Sequence, residues 1–309
     1  MAKKSISFDK HKIIITDRLK LFLFAIPFLI FITAFSYVPL FGWIYAFVDY
    51  KPWIPLFQSP FVGLAKFEEL FKGGSDFINA ITNTFVFSFI GIITTPLAAI
   101  FALLLNELRS QKFKSVVQTL TTIPNFISWI VLFSLSFAMF SSNGFVINLL
   151  IRLGLLPNQI NLLGNNNAVW IFQSCLGIWK GLGWGSILYL AAITSIDSEL
   201  YDAAKIDGAN SFARAIHVTV PGMIPTYFVL LLLAISNILN NGFDQYFVFY
   251  NALVAQHITV LDLYTYQAAF LTNDYSLSTA IGMFKTLVSV ILLFSANNLS
   301  KLLRGESII

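Results

Sequence analysis

A chain of 309 residues that is 57% hydrophobic and only 11% charged lies far from a soluble domain, in which about a quarter of residues carry charge. One cysteine, Cys175, excludes a disulfide framework and a thiolate metal cluster. The net charge of +4 is accounted for by membrane orientation and needs no nucleic-acid partner.

Residues 1–18 read as a basic tail. The apolar stretch after them, near 19–47, is too long for a signal-peptide core of roughly 7–15 residues, so an uncleaved first span is expected. Further apolar windows lie near 78–106, 117–141, 170–195, 222–249 and 277–300. Each is long enough to cross a hydrocarbon core about 30 Å thick, which takes roughly 20 helical residues. None shows the alternation of a barrel strand. The expected fold is all-α, a polytopic membrane protein of six transmembrane helices forming one domain over 19–303, with a short tail at 304–309.

Between the first two windows, Phe61, Leu64, Phe67, Leu70 and Phe71 recur at helical spacing, which predicts a short helix either on the membrane surface or packed on the bundle. Residues 143–169 read as a second such cap. The third window carries Asn125, Ser128 and Trp129 just after Pro124, a mixture of amide, hydroxyl and indole. The fourth holds Cys175 in a packing role. It also holds Lys180, either a paired structural lysine or a group reaching a pathway, beside Gly181, Gly183 and Gly185, which suit close helix packing.

From 197 to 221 the chain turns polar and rich in small residues. Ala203, Ala204 and Lys205 favour a helix over Leu200–Ile206, Gly208 is a natural stop, and a second short helix is expected from Asn210 to His217. Pro221 fits the start of the fifth span, where its missing N–H costs nothing. That span contains Ser236, Asn237, Asn240, Asn241, Asp244 and Gln245. Polar groups inside a span are expensive unless paired or facing water, so they are functional candidates. Asn237, Asn241 and Asp244 recur at helical spacing and are expected to share one face. Asp262, Tyr264, Tyr266 and Tyr275 follow outside, where they are candidates to contact a partner or an entering solute or simply to cap the pathway, and Lys285 in the sixth window is as ambiguous as Lys180.

The basic residues divide unequally. Lys10, Lys12, Arg18, Lys20, Arg109, Lys112, Lys114, Lys205, Arg214, Lys301 and Arg304, with Lys3 and Lys4, fall on one side, against Lys51, Lys66, Lys72 and Arg152 on the other. The positive-inside rule then places both termini and the 197–221 loop in the cytoplasm.

The pattern Asp202-Ala203-Ala204, Ile206-Asp207-Gly208-Ala209 and Val218-Thr219-Val220-Pro221 resembles the EAA loop of ATP-binding-cassette importer permeases, with aspartate where glutamate is usual and Val220 where leucine is usual. The runs YVPLFGWIYAFVDYKPW, GIWKGLGWGSILYLAAITSID, FDQYFVFYN and AIGMFKTLVSVILLFSANNLSKLL are similar to the carbohydrate-uptake branch, in particular permeases for polysaccharides and complex oligosaccharides of Gram-positive bacteria. The resemblance implies the type I importer permease fold, with the loop as a coupling helix that docks an ATPase through Asp202, Ala203, Ala204, Asp207, Gly208 and Ala209. It implies a bacterial plasma-membrane location and four kinds of partner: a second homologous permease, ATP-binding subunits, an external lipid-anchored solute-binding protein and a carbohydrate substrate. It implies no catalytic or metal-binding residue. ATP and Mg are expected on the partner, since no G-x-x-x-x-G-K-[ST] loop is present here. Asn125, Ser128, Trp129, Lys180, Asn237, Asn241, Asp244 and Gln245 are the substrate-pathway candidates, because sugars need hydrogen-bonding groups and aromatic faces.

A permease for another solute, a multispanning glycosyl-transfer enzyme and a secondary transporter are the competing readings. The enzyme would require a carboxylate or histidine cluster at the membrane that no loop supplies, and a secondary carrier would give the polar loop no purpose.

Overall fold

The computed structural model describes residues 10–72 and 74–304; the predicted tails lie largely outside them. Six helical stretches among the described residues are long and apolar enough to span a membrane, and the described backbone contains no strand beyond one antiparallel bridge between Val48 and Phe61.

The first span is α1 (Lys10–Ile32), which continues through one π-helical turn and tightens to a 3-10 helix over Val38–Phe47. None of its most apolar window is buried. The short helix α2 (Ala65–Lys72) follows. It buries Leu70 in the bundle and sets Phe67 5.8 Å from Phe47, so it packs on protein through that face, while Phe61 and Phe71 stay exposed. Lys66 pins it further, its Nζ donating to Asp274 at 2.8 Å and Glu69 at 3.0 Å. Burial alone would lower this lysine's pKa, but the hydrogen bonds and charges of Asp274 and Glu69 outweigh it and leave the pKa raised. A raised lysine contributes stability below its unfolded pKa and loses it only as pH climbs through the higher folded value. The clamp is therefore expected to hold throughout the physiological range; a melting temperature that falls between neutral and mildly alkaline pH in wild type but not in Lys66→Met would contradict this.

The second span is α3 (Ser75–Asn106). Phe77, Ala80, Thr84 and Phe87 succeed each other at three- and four-residue steps and are all buried, the stripe expected of a helix with one face to its neighbours. Its main neighbour is α7 (Val169–Thr194), the fourth span. Buried Asn83 connects three segments: its amide donates to the Gln256 and Thr259 carbonyls, and its oxygen accepts from the Trp170 indole at 3.1 Å.

Between α3 and α7 the chain forms α4 (Gln111–Thr122), α5 (Trp129–Phe140) and α6 (Phe145–Arg152). The third window is therefore not one continuous helix over 117–141. Pro124 falls in a 3-10 turn over Ile123–Phe126, Ile127 is extended, and Ser128 starts α5 by accepting a hydrogen bond from the Val131 N–H. The apolar span-length stretch runs instead over Trp129–Arg152. Cys175 is exposed on α7, which corrects its expected packing role.

After α7 come α8 (Ser198–Ile206) and α9 (Ser211–Arg214), then a π-helical turn over Ala215–Thr219 leading into α10 (Val220–Ser236). The expected helix end at His217 and fresh start at Pro221 do not occur: the helix is unbroken from Ser211 to Ser236. Proline inside a helix removes one hydrogen bond and crowds the preceding turn, and the widened π turn immediately before Pro221 absorbs both.

The fifth window, expected to be helical over 222–249, is interrupted. Asn237 caps α10, and helix resumes only at α11 (Asp244–Phe249), then α12 (Ala255–Ile258), α13 (Leu261–Phe270) and the sixth span α14 (Tyr275–Arg304).

Candidate substrate cavity and docking loop

Both chain breaks leave backbone groups without helical partners, and the two intramembrane lysines sit at them. Lys180 on α7 donates to the carbonyls of Pro124 at 3.1 Å, Asn125 at 2.7 Å and Ile127 at 2.6 Å, and its ammonium lies 5.4 Å from the Trp129 ring centre. Its three N–H donors meet three carbonyls of the break, of which Pro124's also accepts the Ile127 N–H. Lys180 is thus the paired structural lysine, and Asn125, Ser128 and Trp129 hang from the segment it fastens. Lys180→Met is expected to speed amide exchange selectively over residues 123–128 and to lower transport; protection equal to wild type there would refute the clamp.

At the second break, Gly242 has φ +88°, a conformation that side chains disfavour. Its N–H donates to Asp262 at 3.1 Å, and Asp262 also pairs with buried Lys285. Asp262, expected to face a partner or an entering sugar, is therefore occupied in holding the fifth span. Because the helix stops at Asn237, that residue, Asn241 and Asp244 do not form one helical face. Asn237 bonds back to the Leu233 carbonyl and is exposed, as is Asp244, whereas the Asn241 amide reaches Ser88 on α3 at 2.9 Å.

Gln245 has a different setting. Its amide donates both to the Gln173 backbone carbonyl and to the Gln173 side-chain oxygen, each at 2.9 Å. This amide pair borders a cavity of about 240 Å³ between α3, α7 and α11, lined among others by Thr94, Gln173, Ser174 and Gln245, with Phe87 and Tyr246 as aromatic walls. The Ser174 hydroxyl is buried and has no hydrogen-bond partner among the described residues, a cost that a ligand hydroxyl in the cavity would remove. Of the eight pathway candidates only Gln245 lines this cavity. Gln173, Ser174 and Thr94 were missed, although a Gln-Ser pair inside an apolar window is the same signal that singled out the fifth span.

The loop between the fourth and fifth spans is rigidly built. Asp197 caps α8 by accepting from the Glu199 N–H at 2.9 Å. At its other end the Gly208 N–H bonds Lys205 O and the Ala209 N–H bonds Ala204 O, a Schellman closure that requires the left-handed φ of +80° found at Gly208. Tyr201 and buried Thr219 share a hydrogen bond of 3.0 Å, and Ile196 packs on Gly222, where a methyl group would meet it at 2.4 Å. The hairpin is thereby fixed to the base of α10. Asp202, Ala203, Asp207 and Gly208 are exposed and Ala204 and Ala209 half-buried. Asp202 is held by Lys205 at 2.7 Å, a surface pair of little energetic weight. The residues that stand out are Ile206, 87% exposed, and Phe212, 74% exposed, on either side of the turn. Sequence reading passed over them in favour of the small residues.

Comparison with known proteins places this architecture. Residues 94–305 match the family model described as binding-protein-dependent transport system inner membrane component. Protein LplB of Bacillus subtilis is 38% identical over 91% of this chain and 88% of its own. The polygalacturonan/rhamnogalacturonan transport system permease protein YteP of the same organism is 39% identical over 93% and 89%. A chain from a bacterial ABC transporter involved in import of the acidic polysaccharide alginate superposes with a TM-score of 0.85 at 30% identity, covering 96% of this chain and all of the other. With six candidate spans, a matched family model over most of its length and relatives aligned nearly end to end, the chain belongs to the family of inner membrane components of binding-protein-dependent transport systems.

Proposed function

We propose that this chain is one permease half of an ATP-driven importer of oligosaccharides in a bacterial plasma membrane, with both termini and the 197–221 loop cytoplasmic. The observation that carries the reading is the cavity walled by Gln173, Ser174, Thr94 and Gln245. It offers amides and hydroxyls against aromatic walls and no ionised side chain, the chemistry that recognises sugar hydroxyls and the apolar face of a sugar ring. The relatives named for polygalacturonan/rhamnogalacturonan and alginate transport, one of them solved with an alginate pentasaccharide-bound periplasmic protein, support a carbohydrate cargo.

The other half of the pathway belongs to a second, homologous permease. A lipid-anchored binding protein delivers the sugar from outside, and ATP with Mg is bound by separate cytoplasmic subunits, which seat on Ile206, Phe212 and the small residues around Gly208. Closure of the ATPase pair moves the two docking loops, and each permease follows as a rigid body so that the cavity changes the side it faces. No bond in the cargo is made or broken by this chain.

The test is transport by the complex reconstituted in liposomes, fed by its binding protein and a panel of oligosaccharides. Gln245→Ala is expected to raise KM roughly three- to tenfold at unchanged assembly, the effect of losing hydrogen bonds each worth about 0.5–1.5 kcal/mol. An unaltered KM would remove the cavity from the pathway, and a wild-type chain that captures no ATPase subunit on purification would sink the permease assignment.

A further inference from the structure

Where the first span ends and the sixth begins, Tyr45 and Tyr50 meet a third tyrosine, Tyr275, from the far end of the chain. Tyr45 and Tyr50 meet edge to face, ring centres 4.6 Å apart at 80°, and Tyr50 meets Tyr275 in the same way at 6.0 Å and 77°. With Pro52 and Thr279 they line a hollow of about 430 Å³, within the roughly 300–1,000 Å³ usual for small-molecule sites. The hydroxyls of all three tyrosines are without a hydrogen bond among the described residues.

The hollow is preformed. Buried Ser276 donates to the Val48 carbonyl at 2.6 Å and accepts from the Tyr50 N–H at 3.0 Å, tying the loop after the first span to the first turn of α14. Behind it, Lys66 binds Asp274, which in turn accepts from the Leu277 N–H at 2.8 Å. The Asp49–Lys51 ion pair at 3.2 Å beside Tyr50 places this end in water. Tyrosines that only anchor a span present their rings to lipid headgroups and enclose nothing; these stand at right angles around a void, with their polar ends free.

We propose that this hollow is a second carbohydrate subsite, on the external face of the permease, that stacks one pyranose ring of the cargo before it enters the membrane. The inference rests on the carbohydrate reading above. Ring C–H faces lie on Tyr50 and Tyr275, and the free phenols exchange hydrogen bonds with sugar hydroxyls. Its lining shares no residue with the Gln173–Gln245 cavity, so it engages an oligosaccharide at a different ring.

The experiment is saturation-transfer NMR on the assembled complex of both permeases and the ATPase in lipid nanodiscs, without binding protein, using maltotriose, arabinotriose and trigalacturonate as probes. Transfer to ring C–H protons of at least one probe is expected, falling at least threefold in Tyr50→Ala and Tyr275→Ala and surviving in Tyr50→Phe, which keeps the ring. In uptake assays with binding protein the alanine variants should raise KM on the order of three- to tenfold at unchanged maximal rate, the signature of a lost binding contact. Unchanged melting and ATP hydrolysis of the complex certify that the variants fold, and Tyr45→Phe serves as the mildest control. Equal transfer in wild type and both alanine variants overturns the subsite and leaves the rings as interfacial anchors. A complex that imports a sugar yet shows no transfer with any probe also overturns it while import stands. Import of a non-sugar solute alone removes the carbohydrate reading and the subsite with it.

Discussion

Gly183→Ala is expected to cut the yield of assembled, detergent-stable complex severely, whereas Gly181→Ala, two residues away on the same helix, leaves it intact. A Cβ at position 183 would lie 2.2 Å from the Thr121 carbonyl oxygen and 2.3 Å from its carbon. These are backbone atoms of α4 and cannot swing aside as a side-chain tip does. Overpacking of a tight contact costs on the order of 1–3 kcal/mol and more when no rearrangement relieves it. The strain would fall just ahead of the break that Lys180 fastens, so it would displace the Pro124–Trp129 segment as well. At Gly181 nothing lies within 4 Å, and alanine gains about 1 kcal/mol of helix propensity over glycine. Gly185 is intermediate, 3.4 Å from the Ala98 methyl. Thermal melting of the three alanine variants checks the order; a melting temperature for Gly183→Ala equal to wild type would disprove the close approach of α7 to α4.

Ile206→Asp combined with Phe212→Asp is expected to release the ATPase subunits on purification and to reduce ATP-driven uptake at least tenfold, with the bundle itself still folded. Both side chains are largely exposed, so in the isolated chain their replacement disturbs little packing. In the complex each would bring a charge into an apolar seat, at a cost of several kcal/mol unless it finds a partner, and about 1.4 kcal/mol already amounts to tenfold. Lys205→Ala supplies the contrast: it removes a surface ion pair worth at most about 1 kcal/mol and should leave coupling nearly unchanged. Size-exclusion chromatography with the ATPase present separates the outcomes. Co-elution of the double variant at wild-type stoichiometry would move the docking surface elsewhere.

The number of spans and the helical hairpin between the fourth and fifth were legible in the sequence, because long apolar windows and a polar island between them are carried by composition. The breaks were not. Asn237, Asn241 and Asp244 share a helical phase on paper, but the phase holds only if the helix continues, and it ends at Asn237. Gly242 was the available signal, a residue suited to the positive φ at which the chain turns. Pairing was one of the two roles open to Lys180, which also stood among the pathway candidates; its partners, three carbonyls more than fifty residues earlier, left no trace in side-chain types. Tyr50 and Tyr275 are more than two hundred residues apart, and only the folded chain, through ring packing and the hydrogen bonds of Ser276, brings them together. At the docking loop the small residues drew attention because they matched a family pattern. Ile206 and Phe212, ordinary in any helix, became conspicuous once both proved to face outward.

The unbroken helix from Ser211 to Ser236 has a mechanical consequence. At about 1.5 Å per residue its 26 residues make a rod roughly 39 Å long. One end is fastened to the docking hairpin through Tyr201–Thr219 and Ile196–Gly222, and the other stops at Asn237, where the polar break begins. A tilt of about 5° imposed at the hairpin would carry the far end about 3 Å sideways, comparable to the length of the hydrogen bonds that surround Asn241 and Gln245. Under the proposed coupling the rod works as a lever: motion imposed at the 197–221 hairpin is delivered to the polar break that holds Asn241 and leads into Gln245 at the cavity.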